Sequence, residues 1–158
     1  MATHLCHMAD FVHVPTAVTA SRLLGLRFKE DDAESAVVQL RKHVRAGFSA
    51  DRVERVAKQA NLPVKDVLAL IDLSQRTYER RQSDGKHLTL SQSDRLLRLA
   101  RIFAKATHVL GSAEKASRFM QKSNRALCGE SPFAHIDSEL GEDAVLEILG
   151  RIEHGIIG

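Results

Sequence analysis

Apolar residues recur at three- and four-residue steps along most of the chain, and only Pro15, Pro63 and Pro132 interrupt the pattern. That spacing lines one face of an α-helix, whereas a half-buried strand needs strict alternation, and no Val/Ile/Thr-rich alternation occurs. The expected fold is all-α. With 158 residues, 44% of them apolar, the chain can bury a core as one compact unit or two very small ones. It has no run of about 18 apolar residues and no basic start followed by an apolar stretch, which predicts neither a membrane span nor a secretory signal, and hence a cytoplasmic protein. Cys6 and Cys128 are too few and too far apart for a disulfide framework, so both are expected as free thiols.

Cap and stop signals divide the chain into elements. Residues 1–30 read as an irregular arm with a possible short turn near Thr16 to Leu24. Asp32 can cap a helix running to about Arg45, with Val37, Leu40 and Val44 on one face and Gly47 as its stop. Ser49 is expected to cap the next, whose stripe is Val53, Val56, Ala57 and Ala60. Pro63 suits the first turn of a helix carrying Val67, Leu68 and Ile71. Ser74 caps a helix to about Gln82, and Ser83, Asp84, Gly85 and Lys86 end it. Ser91 and Asp94 read as a capping box for the longest helix, with Leu96, Leu99, Ala100, Phe103, Thr107 and Leu110 inward and Gly111 as its stop. Ser112 starts another, with Ala116, Phe119 and Met120 inward. Ser131 and Pro132 open a short turn of helix. Gly141, with Glu142 and Asp143 at the positive end of the helix dipole, is expected to open the last, with Val145, Ile148, Leu149 and Ile152 inward.

Three of these helices, at about 51–60, 63–71 and 74–82, are joined by only two or three residues. Such tight linkage makes neighbours cross steeply, which is the helix-turn-helix arrangement. In the third helix, Leu73 and Tyr78 are the inward anchors, and Gln75, Arg76, Glu79 and Arg80 share the opposite side, the one a major groove would see. Arginine can donate a fork to guanine and glutamine can pair with adenine, while Ser74, Thr77, Arg81 and Lys86 are placed for phosphate. One such helix makes few base contacts, so useful specificity calls for two copies across a palindrome, and a homodimer is expected.

The charge distribution divides the chain in the same way. Residues 74–105 carry eight basic and three acidic groups and residues 106–129 four and one, whereas residues 130–158 carry one and seven. A basic middle and an acidic end suit two partners, one of them a polyanion.

From about residue 46 onward the order of features resembles the MbcA/ParS/Xre family of antitoxins. The likeness is carried by Ser74-Gln75-Arg76-Thr77-Tyr78-Glu79-Arg80-Arg81, by Ser93-Asp94-Arg95-Leu96-Leu97-Arg98-Leu99-Ala100-Arg101, by Ser123-Asn124-Arg125-Ala126-Leu127-Cys128-Gly129-Glu130-Ser131-Pro132, and by Arg151-Ile152-Glu153-His154-Gly155. The resemblance implies an Xre-like helix-turn-helix followed by a small helical toxin-binding domain. It divides the chain into an arm and first helix at 1–48, a DNA-binding domain at 49–90 and a toxin-binding domain at 91–158. It implies the antitoxin of a type II toxin-antitoxin pair whose partner is a RES-domain toxin that consumes NAD. The C-terminal region would cover the toxin's active site, and the helix-turn-helix would bind the promoter of its own operon. Antitoxin and toxin would form a higher-order complex. An acidic end would suit a pocket that binds a dinucleotide's pyrophosphate. Family members commonly have Trp where this chain has Phe119, and Pro where it has Ser123, which leaves that turn less rigid.

Within the tail, Gly155 would let the chain leave the last helix and push Ile156, Ile157 and Gly158 into the partner's cleft, with Arg151 and Glu153 paired across the rim and His154 as a further contact. The competing reading is a stand-alone transcriptional regulator whose C-terminal domain only dimerises. Other chemistries find little support in the pattern. His4, Cys6, His7 and His13 lack the second half of a zinc site. No Ser, Cys or Asp is arranged around His154 to be activated, and the glycines stand singly at helix ends rather than in a phosphate-cradling loop. No metal, cofactor or catalytic residue is expected.

Overall fold

The computed structural model describes residues 14–27 and 33–155. Those residues form α1 (Val14–Leu23), α2 (Ala33–Ala46), α3 (Asp51–Ala60), α4 (Val64–Leu70), α5 (Gln75–Ser83), α6 (Leu90–Leu110), α7 (Ala113–Gln121), a 3-10 turn (Arg125–Leu127), α8 (Pro132–His135) and α9 (Glu139–Glu153). Among them the all-α expectation is met, with one isolated bridge between Ser49 and His87 in place of any sheet.

The axis of the molecule is α6. Its 21 residues span roughly 30 Å at 1.5 Å per residue, and α1, α2, α7 and α9 all pack against it. Leu96, Leu99, Ala100 and Phe103 are buried as their spacing predicts, joined by Ile102, Ala104 and Ala106. Thr107 is half-buried, and its hydroxyl donates to the Phe103 carbonyl at 2.8 Å. Leu110 packs at the edge of the core.

Within residues 14–27 the short turn read near Thr16 to Leu24 is a packed helix, Val14–Leu23, rather than part of an arm. Ala17, Ala20 and Leu24 are fully buried, and α1 packs against α6. Arg52 of α3 donates to the Leu24 carbonyl. The turn that follows needs glycine, because Gly25 has φ +70° and a Cβ there would lie 2.3 Å from the Arg52 guanidinium. His4, Cys6, His7 and His13, and the proposed cap Asp32, lie outside the described residues.

Two caps fall elsewhere than expected. Ala50, not Ser49, occupies the N-cap of α3, and Ser49 instead joins the bridge to His87. The Leu88 amide donates to the Phe48 carbonyl at 2.7 Å, and the Phe48 amide to the buried Ser93 hydroxyl at 2.9 Å. These bonds tie the entrance of α3 to the start of α6. The capping box of α6 is Thr89 with Gln92, two residues earlier than Ser91 with Asp94. Pro63 stands one place before its expected position, as the N-cap of α4.

The C-terminal helices form a second layer on α6. Ser112 and Ser131 cap α7 and α8 as predicted. Asn124 caps a 3-10 turn that periodicity cannot reveal. The last helix starts earlier than expected: Ser138 caps it, and Gly141 lies inside its first turn. Val145 and Leu149 are buried, but Ile152, expected inward, is 42% exposed. No helix among the described residues is long and apolar enough to cross a membrane.

Candidate functional site

Two left-handed residues fold the tri-helical segment. Asn61 closes α3 with φ 52° and Asp72 follows α4 with φ 56°. The amides just beyond them turn back into the helices, Leu62 to the Ala57 carbonyl and Leu73 to the Leu68 carbonyl, both at 2.9 Å. Asn and Asp tolerate this conformation better than other non-glycine residues, so each helix ends in a compact reversal. Below the turns, Val67, Leu68, Leu70, Ile71, Leu73 and Tyr78 are buried. Burial, and then Glu54 and Asp51 of α3, push the Tyr78 phenol above its usual pKa.

The opposite side of α5 is open. Ser74 caps the helix, accepting from the Thr77 amide at 3.3 Å and donating to the Thr77 hydroxyl at 2.9 Å. Gln75 donates to Glu79 at 2.8 Å. Arg76 and Arg80 are exposed and form no ion pair among the described residues. Lys86 lies beyond the helix, paired at 3.1 Å with Asp84. Of the seven residues predicted for DNA, Ser74, Gln75, Arg76, Arg80 and Lys86 are exposed and Thr77 is half-buried with its hydroxyl held by Ser74. Arg81 stands apart: it is half-buried, and its Nη1 donates to Gln92 Oε1 at 2.6 Å.

Gln92 is the residue that sequence reasoning missed. Its Oε1 also accepts from the Thr89 amide at 3.1 Å, and its Nε2 donates to the Asp72 carbonyl at 3.3 Å. One amide thus caps α6 and grips both the turn before α5 and the last turn of α5. The signal was present in Thr89-x-x-Gln92, a capping-box spacing. Replacing Gln92 by alanine is expected to cost about 1 kcal/mol, a fall of roughly 2 to 4 °C in the thermal midpoint. An unmoved midpoint would show that this junction contributes nothing.

At the C-terminal end, acidic residues divide into two sets. Glu142, Val145, Leu149 and Glu153 follow one another at helical spacing toward α6. Glu142 meets Arg98 Nε at 2.9 Å and Arg101 Nη1 at 3.6 Å. Burial pushes its carboxyl above the usual pKa, against the pull of Arg101 and Arg98. Glu153 receives a hydrogen bond from Lys105 Nζ at 2.6 Å and lies 3.8 Å from His108 Nε2. The Lys105 bond is the main reason its carboxyl lies below the usual value. These two acids are clasps that set the register of α9 on α6.

Arg151 and Glu153 consequently sit in separate pairs rather than with each other, Arg151 being joined to Glu147 one turn back. The exposed His154 is the C-cap, its amide donating to the Gly150 carbonyl at 3.0 Å. Gly155 has φ +67°, so the backbone turns off the helix axis there. Ile156, Ile157 and Gly158 lie outside the described residues. Cys128 is a free, exposed thiol, and among the described residues no group of three or more His, Cys, Asp or Glu could hold a metal.

Comparison with known proteins agrees with this arrangement. Residues 39–101 match the family model of the antitoxin Xre-like helix-turn-helix domain, and residues 105–155 match that of the antitoxin Xre/MbcA/ParS C-terminal toxin-binding domain. An antitoxin Xre of Yersinia enterocolitica is 27% identical over 143 residues, covering 90% of this chain and 95% of that protein. One from Photorhabdus laumondii is 30% identical over 112 residues, 70% of this chain and 76% of the relative. Another from Pseudomonas putida is 30% identical over 117 residues, 74% and 72%. The chain belongs to the Xre/MbcA/ParS family of antitoxins, with an Xre-like helix-turn-helix domain over residues 39–101 and a C-terminal domain of the family's toxin-binding type.

Proposed function

We propose that this antitoxin neutralises a RES-domain, NAD-degrading toxin by covering its active site with the C-terminal region, and represses its own operon as a cytoplasmic homodimer in a type II pair. The observation that carries the DNA half is the pair of exposed cations, Arg76 and Arg80, on the open face of α5, neither in an ion pair among the described residues. A helix with that face suits a major groove, Gln75, Arg76 and Arg80 reading base edges while Ser74, Thr77 and Lys86 hold phosphates. Arg81 fits this scheme only in part, since one of its nitrogens is committed to Gln92. Two copies on a palindrome would double the contacts and explain how so small a helix discriminates. On the toxin side, the reading rests on the match of residues 105–155 to the toxin-binding type. Arg151, Glu153, His154, Ile156, Ile157 and Gly158 are the proposed contacts, with Glu153 acting through the clasp that aims the end of α9.

Arg76→Ala or Arg80→Ala should each weaken binding to the operon's own promoter by about 1 to 3 kcal/mol, with the thermal midpoint unchanged. Fluorescence anisotropy at fixed salt measures this. Undiminished promoter affinity in both variants would remove α5 from the readout. For the toxin half, the reading frame beside the antitoxin gene should encode a protein that depletes cellular NAD when expressed alone and not when co-expressed with this chain. A neighbouring frame without that effect would leave the stand-alone regulator as the better account.

A further inference from the structure

We infer that Leu140, at the opposite end of α9 from the tail, is a second anchor for the toxin, seated in an acidic rim that only a cationic partner surface can meet. The inference rests on the antitoxin reading above. Leu140 is the second residue of α9 and is 83% exposed, against 42 to 58% for the other exposed large apolar side chains among the described residues. A lone exposed leucine is ordinary. This one borders an open groove of about 420 Å³ with a mixed wall, Ala134 and Ala144 beside Glu130, His135 and Asp137, so an incoming group would find the leucine's apolar side chain set among acidic neighbours. The fold does not require leucine here, because glutamine or lysine has nearly the same helix propensity.

The rim decides between occupants. Asp137, Glu139 and Asp143 are all exposed, and they flank Leu140 in sequence along the start of α9. A second copy docked symmetrically would set this acidic rim against itself, and like charges across an interface are costly. DNA is excluded by its own charge. What remains is a protein surface with basic residues around an apolar hollow, and Leu140 lies within the segment that matches the toxin-binding type. Its distance from His154 is roughly 20 Å along the helix at 1.5 Å per residue. A toxin engaged at both ends of α9 would span a footprint of the size usual for stable complexes.

The test uses the full chain and the purified protein encoded beside it. Leu140→Gln should weaken that complex about 30-fold, equivalent to roughly 2 kcal/mol, with unchanged thermal midpoint and unchanged promoter binding. Leu140→Met should stay within a few-fold of the natural chain, and Asp143→Lys should slow association and flatten its salt dependence. Toxin affinity of Leu140→Gln within about threefold of the natural chain would overturn the inference. So would a change from dimer to monomer in that variant by light scattering, which would assign Leu140 to a second copy. If the natural chain itself fails to bind the neighbouring protein, the antitoxin reading of the partner fails first and this inference with it.

Discussion

Replacing Gly141 by alanine is expected to destabilise the C-terminal layer by about 3 kcal/mol or more, while the same change at Gly150, nine residues along the same helix, is expected to stabilise it. Helix propensity alone predicts a gain at both sites, since alanine is favoured over glycine by up to about 1 kcal/mol in a helix interior. Contact geometry separates them. A Cβ at Gly141 would fall 1.6 Å from the His135 carbonyl oxygen, whereas one at Gly150 meets nothing within 4 Å. The obstacle at Gly141 is backbone, which cannot swing aside as a side chain can, so α8 and α9 would have to part and uncover Ile136, Val145 and Leu149. Overpacking of this kind exceeds the propensity gain several-fold. Thermal unfolding of the two variants decides the matter: a midpoint lower by roughly 6 to 12 °C for Gly141→Ala and slightly higher for Gly150→Ala. A stabilised Gly141→Ala would mean that α9 does not approach the end of α8 so closely.

The two glycines illustrate what the sequence can and cannot disclose. Both stand singly among helical residues, and only the chain segment brought over Gly141 distinguishes them. The third helix of the tri-helical segment was legible because its signals are local: Ser74 caps, Leu73 and Tyr78 anchor, and Arg76 and Arg80 lie on the other side. The stripe of Val53, Val56, Ala57 and Ala60 was legible for the same reason. The start of α6 was not, because Thr89-x-x-Gln92 and Ser91-x-x-Asp94 both carry capping spacing. The choice between them is made by distant partners, as Gln92 is held by Asp72 and Arg81 and the neighbouring Ser93 by Phe48. Helix α1 shows in the sequence only as a possible short turn near Thr16 to Leu24 because its buried positions include Ala17 and Ala20, residues too small to show an apolar stripe beside Thr16 and Ser21.

The acidic end shows a different limit. Counting charge suggested that the whole C-terminal block faces a partner, but Glu142 is buried against Arg98 and Arg101 of α6, and Glu153, at the surface, is paired with Lys105. On periodicity Ile152 continues the stripe of Val145 and Leu149. At the end of α9 both Ile152 and Glu153 are exposed, and the contact with α6 there is the surface pair of Glu153 with Lys105 rather than an apolar one. The basic block is divided too, since part of its charge serves these clasps rather than nucleic acid. On the proposed reading, the acidic groups left for a partner are those on the outer side of α9.

Removal of residues 155–158 is therefore expected to release the toxin's activity completely while leaving the rest of the molecule intact. The cut is placed after His154 because Glu153 is part of the fold: deleting from Ile152 onward would also take away the Lys105 clasp and confuse loss of occlusion with loss of structure. Up to His154 the chain ends in exposed side chains, so truncation there removes no described core contact. The positive φ of Gly155 lets the tail leave the helix axis, and two isoleucines beyond it would gain by entering a partner's apolar cleft, at about 1.5 to 3 kcal/mol for each side chain fully buried. If both are anchors, their loss lowers toxin affinity by a hundredfold or more at roughly 1.4 kcal/mol per tenfold, enough to free an enzyme that acts at low occupancy. Co-expression with the neighbouring toxin, read as growth and cellular NAD, should show toxicity with the truncated chain, while its thermal midpoint and promoter binding match the full one. Full protection by the truncated chain would move occlusion away from the tail and onto the helical surface of α9 around Leu140.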